Sequence, residues 1–69
     1  MQYTPAPTVA DPLVQAVQQE LNKKGFNAGV ADGIVGRQTK DAISAAQSAF
    51  NMAVDGVASE ALLRALRRY

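Results

Sequence analysis

Few side chains in this sequence could do chemistry on a substrate. Six carboxylates (Asp11, Glu20, Asp32, Asp41, Asp55 and Glu60) stand against seven basic residues, with no histidine and no cysteine. Without histidine the commonest general base and zinc ligand is missing, and without cysteine there is neither a thiolate nor a disulfide framework. General acid–base work needs positioned groups with tuned pKa values. Asp32 and Asp55 instead belong to separate Asp-Gly turns, and Glu20, Asp41 and Glu60 show no clustering in their spacing. The segment Gly29 to Gly36 is no phosphate loop, because no Gly-Lys-Ser/Thr follows it. No catalytic residue, metal site or cofactor is expected. The residues left for recognition are amides, glycines and a few arginines, which suit hydrogen bonding and charge pairing.

Those residues sit on a simple frame. At 69 residues the chain makes one domain at most, of a size that hides only about 60% of its unfolded surface. A hydrophobic fraction of 48% favours folding over disorder, although much of it is alanine, so a narrow core with a surface groove is expected rather than an enclosed cavity. Residues 1–10, with two prolines and two threonines and no period, read as a linker or tail, and 11–69 as the domain. Asp11-Pro12 opens a helix carrying Leu13, Val14, Val17 and Leu21 at helical spacing, and Gly25 stops it. A second helix runs from Gly36 or Arg37 to Phe50, with Thr39, Ala42, Ile43, Ala46, Ala49 and Phe50 facing inward and Asn51 at its end. Ser59 caps a third, whose apolar face is Leu62, Leu63, Leu66 and Tyr69 and whose closing turns carry Arg64, Arg67 and Arg68. The fold class is all-α: a compact three-helix bundle with two Asp-Gly turns.

An internal repeat sharpens that frame. Val30-Ala31-Asp32-Gly33-Ile34-Val35-Gly36 is echoed by Ala53-Val54-Asp55-Gly56-Val57-Ala58-Ser59. Each copy is an Asp-Gly turn, an apolar residue, and a cap-competent Gly or Ser before a helix. Ile34 and Val57 are expected to plug the end of the bundle.

In this order and spacing, Val17-Gln18, Leu21, Gly25-Phe26, Asp32-Gly33-Ile34-Val35-Gly36, Thr39, Ala42-Ile43, Gln47 and Val54-Asp55-Gly56-Val57 resemble the peptidoglycan-binding domain of cell-wall hydrolases and endolysins, from about Pro12 to Leu66. There are departures. Ala46-Gln47 stands where the family has Phe-Gln, and Asn51 replaces a glycine. Leu62 is the second-repeat counterpart of Thr39. Phe50, one turn beyond Ala46, is expected to refill the missing volume.

The resemblance implies a non-catalytic module, monomeric, that holds an attached or associated hydrolase or other protein on the bacterial wall. Its partners would be peptidoglycan, through the glycan or the stem peptide, and a catalytic domain where one is linked. It places the chain at the cell wall, in the periplasm or outside the cell. Residues 1–9 lack the basic end and apolar stretch of a secretory signal, so either export is handled elsewhere, or the chain is a piece of a longer protein or part of one released by lysis. The candidate ligand-binding residues are Gln18, Asp32, Gly33, Gly36, Arg37 and Gln47. Asp32, Gly33 and Gly36 are first of all turn and cap residues; glycines also let a ligand approach backbone, and the N–H groups opening the second helix could take a carboxylate with Arg37 beside them. Gln18 and Gln47 either face each other across the groove or tie loop backbone to helix. Phe26 and Ile34 belong to the core or to the groove floor.

A protein-interaction or structural module on the same fold is the alternative. Nucleic-acid binding through Lys23, Lys24, Arg64, Arg67 and Arg68 is disfavoured by a net charge of only +1. No apolar run approaches the roughly 20 residues that span a bilayer.

Overall fold

The computed structural model describes residues 10–69; the linker expected at 1–10 therefore lies, but for Ala10, outside the described residues. Three helices follow one another: α1 Pro12–Lys23, α2 Arg37–Ala49 and α3 Glu60–Arg68. α1 is the shared element and packs against both α2 and α3. No strand forms among the described residues.

Each helix begins and ends for a local chemical reason. Asp11 Oδ1 accepts from the Leu13 N–H at 2.9 Å, with Pro12 at the first helical position where no N–H is needed. Ser59 Oγ accepts from the Leu62 N–H at 3.1 Å and opens α3. α1 closes with the Phe26 N–H on the Leu21 carbonyl at 2.9 Å and the Gly25 N–H on the Asn22 carbonyl at 3.2 Å. α2 closes in the same paired pattern, Met52 N–H to Gln47 O at 2.8 Å and Asn51 N–H to Ser48 O at 3.2 Å. Asn51 has φ 61° and is the one non-glycine residue with positive φ among those described, so it takes the left-handed stop as its type allows.

The core is Val17, Leu21, Ile43, Leu62, Leu63 and Leu66, with Ala28, Ala42 and Ala46 filling the spaces between. Full burial of each large aliphatic contributes on the order of 1.5–3 kcal/mol. The inward faces differ from expectation in three places. Ala49 is exposed, and the α2 face that is buried carries Gln47 in its stead. Phe50 is half-buried at the core's edge rather than filling space beside the fully buried Ala46. Its ring meets Phe26 edge-on at 6.0 Å and stacks on Tyr69 at 4.6 Å, which draws Tyr69 into an aromatic row on the surface instead of the core. Ile34 and Val57 do not plug the bundle. They remain 39% and 56% exposed, because the turns that precede them are held from inside by polar groups and the next side chain points out.

The two turn glycines are under unequal constraint. Gly33 (φ +80°) is buried, and a Cβ there would lie 2.9 Å from the Asp11 backbone nitrogen and 3.0 Å from the Asp11 carbonyl oxygen. The same backbone is hydrogen-bonded to the turn, Asp11 N–H to Gly33 O at 3.0 Å. Gly56 (φ +69°) faces side-chain atoms instead, Lys40 Cγ at 2.9 Å and Cε at 3.0 Å, which can move aside. Both alanine variants incur the left-handed penalty of about 1–2 kcal/mol. Gly33→Ala is expected to cost at least about 1 kcal/mol more than Gly56→Ala in urea unfolding, since only backbone displacement relieves it; equal losses would contradict the packing described.

Candidate functional site

The apolar stripe of α1 carries an amide at a position the helical period reserves for the core. Gln18 is fully buried. Its Oε1 accepts the Gly33 N–H at 2.8 Å, while Nε2 lies 2.9 Å from Thr39 Oγ1, 3.0 Å from the Ile34 carbonyl and 3.3 Å from Asp32 Oδ1. Two N–H groups are shared among those three acceptors. Thr39 passes the connection on, donating to the Ala28 carbonyl at 3.0 Å. Gln15 and Asn22 flank Gln18 along α1 and bind the same loop: Gln15 Nε2 reaches Ala31 O at 3.2 Å, and Asn22 both donates to Gly29 O and accepts from the Ala28 N–H at 2.8 Å. The loop between α1 and α2, without regular structure, is thus stitched to α1 by three amide side chains.

Gln47 repeats the device on α2. It is buried, its Oε1 accepts the Asp55 and Gly56 N–H groups at 3.1 and 3.0 Å, and its Nε2 donates to Asp55 Oδ1 at 2.7 Å. In each turn the aspartate also accepts from the N–H two residues on, Ile34 or Val57, at 3.0 Å. The Ile34 N–H, aided by the Gln18 amide, holds the Asp32 carboxyl below its ordinary value against a smaller opposing effect of desolvation. The Gln47 amide, and after it the Val57 N–H, does the same for Asp55. No buried side-chain polar atom among the described residues lacks a partner.

The six candidate residues therefore fall into three places. Gln18, Asp32 and Gly33 form one internal cluster, and Gln47 anchors the other turn. The two glutamines do not face each other across a groove, because each carboxamide is committed to its own Asp-Gly turn. Gly33 is approached by Ala10 and Asp11 of the chain itself, which occupy the space a ligand would need. Gly36 caps α2 with φ −102° and no side-chain bond, and Arg37 is the first helical residue.

Of the six, Arg37 lines a depression of substantial size. This groove, of about 590 Å³, runs between the turn Gly25-Phe26-Asn27 and one flank of α2. Arg37, Asp41 and Ala45, four residues apart, make a column along that flank, with Gln38 and Ala42 beside it. Phe26 is half-buried and serves both core and groove, whereas Ile34 serves neither. A second, smaller depression of about 340 Å³ lies over the aromatic row, between Phe50, Met52 and Tyr69 and the α3 residues Arg64 and Arg68. Asp41, Gln38 and Asn27 escaped the sequence reading as site residues; for Asp41 the signal available was its four-residue spacing from Arg37. The first groove offers cation, anion, amides and an apolar floor on an open surface, a composition suited to binding an extended polar ligand.

The family model described as "Putative peptidoglycan binding domain" matches residues 10–66. No curated protein and no solved structure gives a significant match.

Two outcomes follow from the turn chemistry. Gln18→Glu keeps shape and the acceptor for Gly33 but removes the donors to Thr39 and Ile34 and sets a carboxylate against Asp32; a loss of about 2 kcal/mol or more is expected in chemical denaturation. A loss below about 0.5 kcal/mol, the size of an indifferent surface change, would show that the amide bonds are dispensable. The pH dependence has a definite sign. Asp32 and Asp55 have folded pKa values below their unfolded ones, near 3.9, so the stability they add is complete above that value and is lost as pH falls through the lowered folded values. The double variant Asp32→Asn/Asp55→Asn keeps the turn-accepting oxygens without the ionisation. Its Tm is expected to fall less steeply than the wild type's between about pH 4 and pH 2.

Proposed function

Because this chain belongs to the peptidoglycan-binding domain family, we propose that it is a non-catalytic module that docks reversibly on peptidoglycan through the groove between the Gly25–Asn27 turn and α2. The family match across residues 10–66 carries this reading. The groove supports it: it is open and lined by amides and by charges of both signs, as a ligand rich in amides, hydroxyls and carboxylates requires. A groove this shallow on a domain this small fits affinities on the order of tens of micromolar to millimolar. Weak docking is sufficient where the module raises the local concentration of a linked or associated protein, a wall hydrolase among them, at the surface it acts on. The place of action would then be the cell wall, in the periplasm or outside the cell.

A second reading, a protein-interaction module on the same fold, is favoured by one observation. Val30, Val35, Val54 and Val57 leave large apolar side chains exposed on the two loops.

Purified sacculi separate the two. Wild-type protein is expected to be retained well above a size-matched helical control. Ala45→Trp, an exposed helical position inside the groove, is expected to melt as the wild type does and to lose at least about tenfold in retention. Retention equal to the control's would end the wall-docking proposal, and undiminished retention of Ala45→Trp would move the site out of this groove.

A further inference from the structure

Two charges in the groove have no partner among the described residues. Arg37 and Asp41 stand one helical turn apart on α2, about 6 Å along its axis, and both are exposed. The single ion pair among the described residues is Lys23–Glu20, in the last turns of α1, and it involves neither of them. The order of the two residues explains why they stay apart: a cation four residues before an anion is the weaker helical arrangement. Arg37 is moreover misplaced for the helix itself. It adds positive charge at the positive end of the helix dipole, where the first turn holds no acidic residue and Gly36 contributes no side-chain cap. This arrangement costs stability within the free protein, and an incoming carboxylate would relieve it.

Resting on the wall-docking reading, we propose that this groove recognises the zwitterionic end of a diamino-dicarboxylic residue in the stem peptide, its carboxylate on Arg37 and its ammonium on Asp41. Guanidinium and carboxylate match a bidentate acceptor and a multiple donor respectively. An amine and a carboxylate on one carbon lie about 3 Å apart, close enough to be gripped together from two side chains one turn apart. The methylene chain of such a residue then runs over the apolar floor of Phe26 and Ala45, and the side-chain amides of Asn27 and Gln38 lie where the ligand's peptide groups pass. A stem peptide whose diamino residue lacks the second carboxylate satisfies Asp41 and leaves Arg37 unmatched. One whose carboxylate is amidated does the same.

The test titrates isotope-labelled protein, followed by amide NMR, with four soluble fragments: a disaccharide-peptide carrying the free diamino diacid, its amidated form, a form with lysine at that position, and the disaccharide without a peptide. The free diacid is expected to bind at least about tenfold more tightly than the other three, with shifts confined to residues 25–27 and 37–45. Arg37→Gln is expected to erase the preference over the amidated and lysine forms. Asp41→Asn is expected to weaken the three peptide fragments alike, since each carries the ammonium, and to leave the bare disaccharide unchanged. Both residues are exposed, and melting curves check that the variants fold as the wild type does. Equal affinity for the first three fragments, or binding of the bare disaccharide as tight as that of the diacid, overturns this proposal. If sacculi retain the protein while the peptide forms bind alike, the zwitterion proposal falls and wall docking stands; if sacculi do not retain it, both fall.

Discussion

The structure depends on a carboxamide buried where a helix would ordinarily place an aliphatic side chain. Gln18 and Gln47 each present one acceptor and two donors, and each Asp-Gly turn presents the complement, inward N–H groups and a carboxylate oxygen. A carboxylate in that position could accept but not donate, and an ammonium could donate but not accept. A hydrophobe would leave turn N–H groups buried without partners, each at a cost of about 1–3 kcal/mol. The amide is a neutral group that satisfies both sides, with two donors and an acceptor oxygen on separate atoms. Because the core is small, six Val, Leu and Ile residues with three alanines between them, hydrophobic burial alone specifies helix orientation weakly, and these ties supply what it does not.

From that tie the groove inherits its shape. Gln18 holds the turn before α2, and through Thr39 it holds the Ala28 carbonyl. Asn22 fixes the stretch between Gly25 and Gly29 to α1. The Phe26 ring on the groove floor is set edge-on by Phe50, which in turn stacks on Tyr69. Every element of the chain therefore bears on a surface that only a few exposed residues line. The glutamines that tie the turns are buried and fully bonded, whereas Arg37 and Asp41 on the groove are exposed and without ionic partners among the described residues. Changes at Arg37, Asp41 or Ala45 can alter recognition without disturbing the ties, whereas changes at Gln18 act on the groove through the loop.

The helices, their caps and both turns were legible because each is signalled within a few residues: Asp11-Pro12, Gly25, Asn51 and Ser59 mark ends, and the Asp-Gly pairs mark bends. The role of the glutamines was not, although Gln18 stands with Val14, Val17 and Leu21 on one stripe and Gln47 with Ile43 on another. A polar residue at an apolar position reads as ligand-seeking or as a tie, and nothing local decides, since its partners lie 8 to 21 residues away in sequence. The same non-local bonding turned Ile34 and Val57 outward. Phe50 was placed in the core by period alone. It ends at the rim because the helix terminates there, and Phe26 and Tyr69, distant in sequence, form the face it packs on.

The turn electrostatics favour ionised carboxylates over proton donors. A general acid near neutral pH needs a carboxyl raised toward the working pH, through burial or a like charge. Asp32 and Asp55 are shifted downward, and their oxygens are taken up by turn N–H groups and glutamine amides. They stay ionised to hold the turns closed. Arg37 and Asp41 stand on an open flank where water reaches both, and each can exchange solvent for a ligand group of opposite sign. Such an exchange is reversible and gains little per contact, because water screens both the free and the bound state. On the zwitterion proposal, selectivity comes from matching two charges at once, and the buried amides tie down the loop beside the helix that presents them.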